Sequence, residues 1–356
     1  MHRLHRLFVG ILALVVLSVS VVHAQEPLTL TLAGYAVPRE AYGEIIPLFV
    51  DHWKAQTGQD VTFETSWVAS GAQSRAVIGG FEADIVALSQ EAHVTNIAKA
   101  GLITHDWQDN PTRGFDKSSL VILVVREGNP DTILDWADLA REGVEVVTPD
   151  PATSGGAQWN VMGAYGAAFR GQVQGFDTGV DGARAFLTAV FTNVIALDAD
   201  GRESFLTFER GIGDVAITYE NEYFAGIEVS GEGAYDIVYP SSTLVIENPI
   251  ALVDTYVDAH GTREVAEAFL EFVYTPEAQA IFYKHGFRAP LLIADEEAAA
   301  VATPDPAVPT PEPDPKYPLP ADLFTIRDFG GWPEVVPAIF GEEGVFTQVI
   351  AEVKGQ

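Results

Sequence analysis

The 356-residue chain has no cysteine. That excludes disulfides, thiolate metal sites, a thiol nucleophile and a lipid-anchoring cysteine, so its stability must come from packing. Positive charge is scarce: Lys and Arg total 20 against 50 Asp and Glu, a net charge of −30. A surface that acidic repels phosphate backbones and anionic lipid headgroups, which sets nucleic acid aside as a partner. There is no Gly-x-Ser-x-Gly elbow and no Walker loop. His52, His93, His105, His260 and His285 are scattered, and no pair has the i, i+4 spacing of a zinc helix. No metal, cofactor or catalytic residue is therefore expected, and a secreted hydrolase or lyase is disfavoured for want of an acid/base pair.

What is present is a large apolar fraction, 47% of the residues, with 10% aromatic. The length exceeds the ~250–300 residues at which one core stops growing, so two lobes are expected. Residues 1–24 read as a signal peptide. Arg3 and Arg6 form its positive start, Leu7 to Val22 its apolar run, and Val22-His23-Ala24 its small-residue cleavage site. Removing it takes two arginines and moves the net charge from −30 to −32. The mature chain is expected to be exported and soluble, periplasmic or otherwise extracytoplasmic, as a monomer.

Strands alternate with helices along the mature chain. Strands are expected at 28–33, 61–65, 84–88, 118–126, 144–148, 194–197 and 215–219, with a strand at 244–253 split around Asn248-Pro249. Helices are expected at 39–56, 72–78, 91–100, 157–169, 181–191, 205–210, 263–274 and 276–285. This order is that of an α/β protein with a mostly parallel sheet covered on both faces. Prolines at 304, 306, 309, 311, 313, 315, 318 and 320 mark 302–320 as an extended, exposed insertion.

Two segments share one design, a strand, a loop ending in Ser-Gly, then a helix: Ala69-Ser70-Gly71 and Thr153-Ser154-Gly155-Gly156. Each offers backbone N–H groups and a hydroxyl at a helix N-terminus, where the macrodipole presents roughly half a positive charge. Facing one another from two lobes, they could grip a small tetrahedral anion. Gly201-Arg202-Glu203-Ser204 is a third candidate wall. Asp198-Ala199-Asp200-Gly201 fails the EF-hand pattern, because Gly falls fourth and Arg fifth. Paired carboxylates such as Glu220/Glu222 and Glu296/Glu297 read as solvated faces, and Trp67, Trp107, Trp136 and Trp159 as core or lobe-interface residues.

Several motifs are shared with a known family. They are Tyr35…Arg39-Glu40, His52-Trp53-Lys54-x-Gln56-Thr57-Gly58, Gly79-Gly80-Phe81-Glu82-Ala83-Asp84 and Arg126-Glu127-Gly128-Asn129-Pro130. Further ones are Thr148-Pro149-Asp150-Pro151, Ser154-Gly155-Gly156-Ala157-Gln158-Trp159-Asn160, Glu209-Arg210-Gly211-Ile212-Gly213-Asp214 and Asp328-Phe329-Gly330-Gly331-Trp332. In these the chain resembles the periplasmic sulfate-binding proteins, receptors of sulfate/thiosulfate ABC importers. The resemblance implies a two-lobed type II periplasmic-binding-protein fold with two hinge crossings and an interlobe cleft. On that reading 25–117 and 222–290 form lobe I and 118–221 lobe II, with crossings at 118–126 and 215–221. The tail 291–356 would pack across both lobes. It also implies that Ser70, Ser154, Gly155, Gly156 and Gly201 donate to the oxyanion, and that the receptor delivers sulfate or thiosulfate to a membrane permease. Tyr219 stands where the family has a donating tryptophan. Ala36 replaces the family's Asp and Gln158 its Arg, while Arg202 is retained. These departures leave phosphate, molybdate or a sulfonate as alternative ligands. Monohydrogen phosphate needs an acceptor for its proton, and Asp150 is the nearby carboxylate that could supply one.

Overall fold

The computed structural model describes residues 27–231, 233–290 and 316–355. The expected signal peptide, the first six prolines of the insertion and Glu296/Glu297 lie outside these residues. Three strands open the chain: β1 (Leu28–Tyr35), β2 (Val61–Val68) and β3 (Ile85–Ala87), with β1 parallel to both others. They alternate with α1 (Arg39–Thr57), α2 (Ser70–Ile78) and α3 (Glu91–Lys99). On α1 the helical spacing of Tyr42, Ile45, Phe49 and Trp53 puts all four in the core. There Phe49 meets Phe269 edge-on at 5.1 Å. The helix stops at Gly58, whose φ of +76° is left-handed and open to glycine without strain.

The second group comprises β5 (Val146–Pro149), β6 (Val194–Asp198) and β7 (Val215–Tyr219). Its helices are α4 (Gly155–Phe169), α5 (Gly179–Thr192), α6 (Gly201–Glu209) and α7 (Glu220–Ser230). It also holds β8 (Tyr235–Val238). Two long strands join the groups: β4 (Phe115–Arg126) and β9 (Ser242–Leu252). The chain then adds α8 (Asp254–His260), α9 (Arg263–Val273) and α10 (Pro276–Lys284), which return to pack near α1.

The sheet order is β2-β1-β3-β9-β4-β7-β5-β6. Its outer groups are parallel, as expected. Its middle is antiparallel, because β9 runs opposite to β3 and β4 opposite to β7, β8 and β9. Both long strands are buried nearly throughout, the pattern of strands covered on two faces, although each carries polar residues, Asp116 to Ser119 in β4 and Glu247 and Asn248 in β9.

The strand pairing moves one hinge. β7 pairs with β4 and β5 within the second group, so the strand at 215–219 does not cross. Residues 222–238 stay with that group, since β8 pairs with Leu123–Arg126 of β4. β9 is the strand that continues, pairing with β4 through Val245–Pro249 and with β3 through Ile250–Leu252. It is also unbroken at Asn248-Pro249. Proline brings no N–H there, but Pro249 faces Phe115 where the β4 register shifts, and a bulge tolerates the missing donor.

The periodic signal misses α7 because its inward residues are polar: Glu220, Asn221 and Glu222 are buried on it. The solvated reading of Glu220/Glu222 is thereby overturned. Arg288 donates to both Glu220 oxygens at 2.6 Å, and Tyr239 donates a third bond at 2.6 Å.

In the tail, a short strand (Asp322–Phe324) pairs with the start of β9, Trp332 meets Trp159 edge-on at 4.7 Å, and Phe346 meets Phe191 at 4.8 Å. These contacts lie on the α4 and α5 side. The end of the insertion is not all exposed: Tyr317 is buried, its hydroxyl donating to the Tyr283 carbonyl at 2.7 Å. Among the described residues no helix is long and apolar enough to cross a membrane.

Candidate functional site

Every outer strand ends on the same side. The C-terminal ends of β1, β2, β3, β5, β6 and β7 lead into α1, α2, α3, α4, α6 and α7, and residues from these six turns meet around one cavity. Ligands of open α/β sheets bind outside the carboxyl ends of the strands, for this topological reason. The lining comprises Tyr35, Ala36, Val37, Ala69, Ser70, Ser89, Pro149, Ser154, Gly156, Asn160, Asp200, Gly201, Thr218, Tyr219 and Glu222. The cavity is small and opens partly to solvent. No lysine or arginine side chain is part of the wall. What the wall offers an anion is helix N-termini, whose first N–H groups have no intrahelical acceptor.

Ser70, Ser154, Gly156, Gly201, Tyr219 and Ala36 are all brought to this wall from both groups of strands. Gly155 is the first residue of α4 and shares its opening turn. Gln158 and Arg202 stand behind the wall. Gln158 donates to the Pro151 carbonyl at 3.0 Å and accepts from Gln90 at 3.0 Å. Arg202 lies 3.3 Å from Glu40 and 3.2 Å from Glu222, so its charge is already matched by two carboxylates. Asp150 is not in the wall; its carboxylate accepts from the Ala152 N–H at 2.8 Å. Asp200 caps α6 by accepting from the Glu203 N–H at 3.0 Å, and among the described residues no group of carboxylates and histidines is placed to hold a metal.

The two Ser-Gly loops differ in detail. Ser154 is the N-cap of α4 and accepts from the Ala157 N–H at 3.2 Å. Ser70 lies one residue later, inside the first turn of α2, and its oxygen accepts from the Ser89 N–H at 2.9 Å. His93 Nδ1 is 2.8 Å from that oxygen. Burial, and then the charge of Arg75, lower the His93 pKa to about 4, so the ring is neutral at pH 7. If Nδ1 carries the ring proton, it donates to Ser70 and leaves the serine O–H free to turn into the cavity.

Sequence reasoning passes over Tyr35, Ser89, Gln90, His93, Asn160, Thr218 and Glu222. Ser89 and Gln90 lie between β3 and α3 and carry no motif, whereas Tyr35, His93, Asn160, Thr218 and Glu222 lie within strands or helices. Tyr35 and Glu222 are the chemically informative ones. The Tyr35 hydroxyl is buried without a hydrogen-bond partner, as are both carboxylate oxygens of Glu222. Arg202 is within ion-pair distance of Glu222 but not in hydrogen-bonding geometry. Burial raises the Glu222 pKa to about 7 despite that neighbour. Burial also raises the Tyr219 phenol, which stays protonated and can donate.

Fold and cavity together define a two-lobed α/β protein with a small cleft at the carboxyl ends of its strands. Residues 30–288 match the family of bacterial extracellular solute-binding proteins, and the chain belongs to that family. It is 43% identical to a sulfate-binding protein of Synechococcus elongatus, over 93% of this chain and 89% of the relative. It is 33% identical to a thiosulfate-binding protein of Pseudomonas aeruginosa, over 92% of this chain and 93% of that one. Among solved structures, the sulfate-binding protein SubI from Mycobacterium tuberculosis H37Rv superposes with a TM-score of 0.71 at 36% identity, covering 88% of this chain and 99% of SubI.

Proposed function

We propose that this chain is an extracytoplasmic receptor that binds sulfate or thiosulfate and delivers it to the permease of an ABC importer. The observation that carries this reading is the convergence of six helix N-termini on a small cavity with no cationic side chain in its wall. Each N–H or O–H donor to a buried anion contributes on the order of 1.5–3 kcal/mol, so a handful offsets the stripping of water from a dianion. The net charge of −32 is no obstacle inside the cleft, since exposed charges are screened beyond ~8 Å at physiological ionic strength. The protein acts as a binder without catalysis, monomeric and periplasmic, its leader cleaved near Ala24.

For the lobes, the strand pairing supports one built on β1–β3 with α8–α10, and one built on β5–β8, with β4 and β9 as the two crossings. Relatives named sulfate-binding match at 37–43% identity and those named thiosulfate-binding at 33%, which supports both ligand classes and sulfate the more strongly.

A second reading, phosphate, has one specific observation in its favour. The Glu222 carboxylate lines the cavity and could accept the proton of monohydrogen phosphate. Calorimetric titration of the mature protein with sulfate, thiosulfate, phosphate and molybdate, at pH 6 and pH 8, separates the two readings. Sulfate or thiosulfate binding tightest at both pH values supports the proposal. Phosphate binding tightest, and tighter at pH 8 where Glu222 is ionised, replaces it.

A further inference from the structure

The segment Ser89-Gln90, between β3 and α3, bonds to the α2, α4 and β7 parts of the site and to β9. The Ser89 N–H donates to Ser70 at 2.9 Å, and the Ser89 carbonyl accepts from Trp159 Nε1 at 2.7 Å and from Asn248 of the crossing strand β9 at 2.9 Å. The Ser89 hydroxyl lies 3.2 Å from the Tyr219 hydroxyl. Gln90 Nε2 donates to the Gly155 carbonyl at 3.3 Å and to Gln158 Oε1 at 3.0 Å. One dipeptide of the first group thus grips the opposing anion loop, the opposing phenol and a hinge strand. Both residues are fully buried.

Two of these partners, Tyr219 and Gln158, each meet a complementary group here. A phenol accepts as well as donates, unlike an indole N–H, and Ser89 supplies a hydroxyl to pair with it. A glutamine accepts as well as donates, unlike an arginine, and Gln90 supplies the N–H it accepts. The glycine at 155 belongs to the same fit. A Cβ there would lie 2.8 Å from Ser89 Oγ and 3.2 Å from Gln90 Nε2, closer than such atoms pack.

We propose that Ser89 and Gln90 form the clasp that holds the two lobes closed on the anion, with Ser89 tuning Tyr219 as a donor and Gln90 holding the Ser154–Gln158 turn. This rests on the anion-receptor reading. When Ser89 donates to the Tyr219 oxygen, the phenol proton is both freed for the anion and strengthened as a donor, because chained hydrogen bonds polarise one another. Both are positioning residues: Ser89 acts through Tyr219, and Gln90 through the backbone of the opposing loop.

The test uses the mature protein and inorganic sulfate, reading affinity by calorimetry, release rate by stopped flow on the tryptophan signal, and the unliganded melting temperature. Ser89→Ala should weaken sulfate binding about tenfold in the parent but less than twofold in a Tyr219→Phe background, as expected of a coupled pair. Gln90→Ala should speed sulfate release about fivefold, with the unliganded melting temperature unchanged. Gln90→Asn keeps the amide but is one methylene short, and should behave like Gln90→Ala. An equal loss from Ser89→Ala in both backgrounds, or an unchanged release rate in both Gln90 variants, overturns the clasp while leaving the receptor reading intact. A parent protein that binds no sulfate removes the receptor reading, and the clasp falls with it.

Discussion

The loops at Ser70 and Ser154 are near copies in sequence, and the fold uses them differently. In the second, the serine precedes the helix as its N-cap, and the two glycines that follow form the opening turn of α4. In the first, α2 begins one residue earlier, at the serine itself, and the hydroxyl turns away from the helix toward Ser89 and His93. A shift of one residue in the helix start therefore decides whether the hydroxyl serves the helix or the neighbouring loop. The supports behind the loops differ as well. A neutral histidine backs the first, while on the opposite side a buried glutamate and its arginine stand behind α6 and α7.

The largest effect should come from exploiting the cap. Aspartate caps helices as well as serine does, so Ser154→Asp should leave unliganded stability within about 0.5 kcal/mol of the parent. Its carboxylate takes the anion's place, and sulfate binding should fall by more than about 100-fold, like charges being strongly unfavourable in a closed cleft. Ser70→Ala has no cap to lose. It strands the buried Ser89 N–H, at a cost of about 1–3 kcal/mol in unliganded stability, and should weaken sulfate binding far less than Ser154→Asp does. Denaturant unfolding with sulfate titration checks both, and the opposite assignment of the two losses would remove the distinction between the loops.

The supports differ in pH response, with opposite signs. The Glu222 pKa is raised from 4.5 to about 7, so between those values the folded protein holds a proton that the unfolded chain has released. Its contribution to stability therefore falls as pH rises through that window. The His93 pKa is lowered from 6.5 to about 4, so there the unfolded chain holds the extra proton and stability rises with pH. Each spans up to about 3 kcal/mol at 1.36 kcal/mol per pH unit, and in the parent the two oppose one another. Glu222→Gln should leave the histidine limb alone, making the unliganded variant steadily more stable from pH 4.5 to 6.5. A variant whose profile matches the parent's would show that Glu222 does not titrate in this range.

Third is the contrast between the glycines. At Gly71 an added Cβ would meet His93 and Arg75 side-chain atoms at 3.3 and 3.4 Å, which can give way. At Gly155 it would meet Ser89 Oγ at 2.8 Å and His93 Cε1 at 3.1 Å, across the closing surface. Gly155→Ala should cost about 1–3 kcal/mol of sulfate affinity, the usual range for overpacking, and Gly71→Ala less than 1. Equal losses would mean that the two lobes do not close at Gly155.

Much of this architecture is legible in the sequence where burial and period coincide. Helix α1 shows its core face at helical spacing, and Leu120 to Val125 of β4 read as one apolar run. The elements that escape are those whose buried face is polar. α7 buries Glu220, Asn221 and Glu222, and β4 begins with Asp116 and Lys117, both fully buried and paired at 2.9 Å. Charge in a sequence signals exposure until a partner far along the chain is known, and Arg288 and Arg202 are such partners. The two Ser-Gly loops are legible because Ser-Gly before a helix has a local physical meaning. Ser89, Gln90 and His93 are not, because their roles arise from what β3 brings them against. The second crossing is hard to read for a similar reason: β7 and β9 are both buried, and only their pairing separates them.

The smallest expected effect concerns Gln158, where restoring the arginine of the resembled family first suggests tighter binding. The structure changes that expectation. The Gln158 side chain both donates to Pro151 and accepts from Gln90. Arginine has no acceptor, so Gln158→Arg keeps at most the Pro151 contact and turns two donors, its own and that of Gln90, toward one another. Against that stands the attraction between a new cation and a dianion nearby, with no carboxylate at Ala36 to balance it. The two terms oppose, and sulfate affinity should change by less than about tenfold, ~1.4 kcal/mol. Salt separates them: the charge term is screened as ionic strength rises, whereas the lost amide contact is not. The variant should therefore bind progressively worse than the parent as inert salt is raised from 0.01 to 1 M, a range over which the Debye length falls from ~30 to ~3 Å. Affinity more than a hundredfold tighter at every ionic strength would mean that charge, and not the fit between Gln90 and Gln158, governs this side of the cleft. Adding Ala36→Asp to Gln158→Arg then measures whether a restored carboxylate and a restored arginine couple: a double variant tighter than the two single effects combined would show that they do.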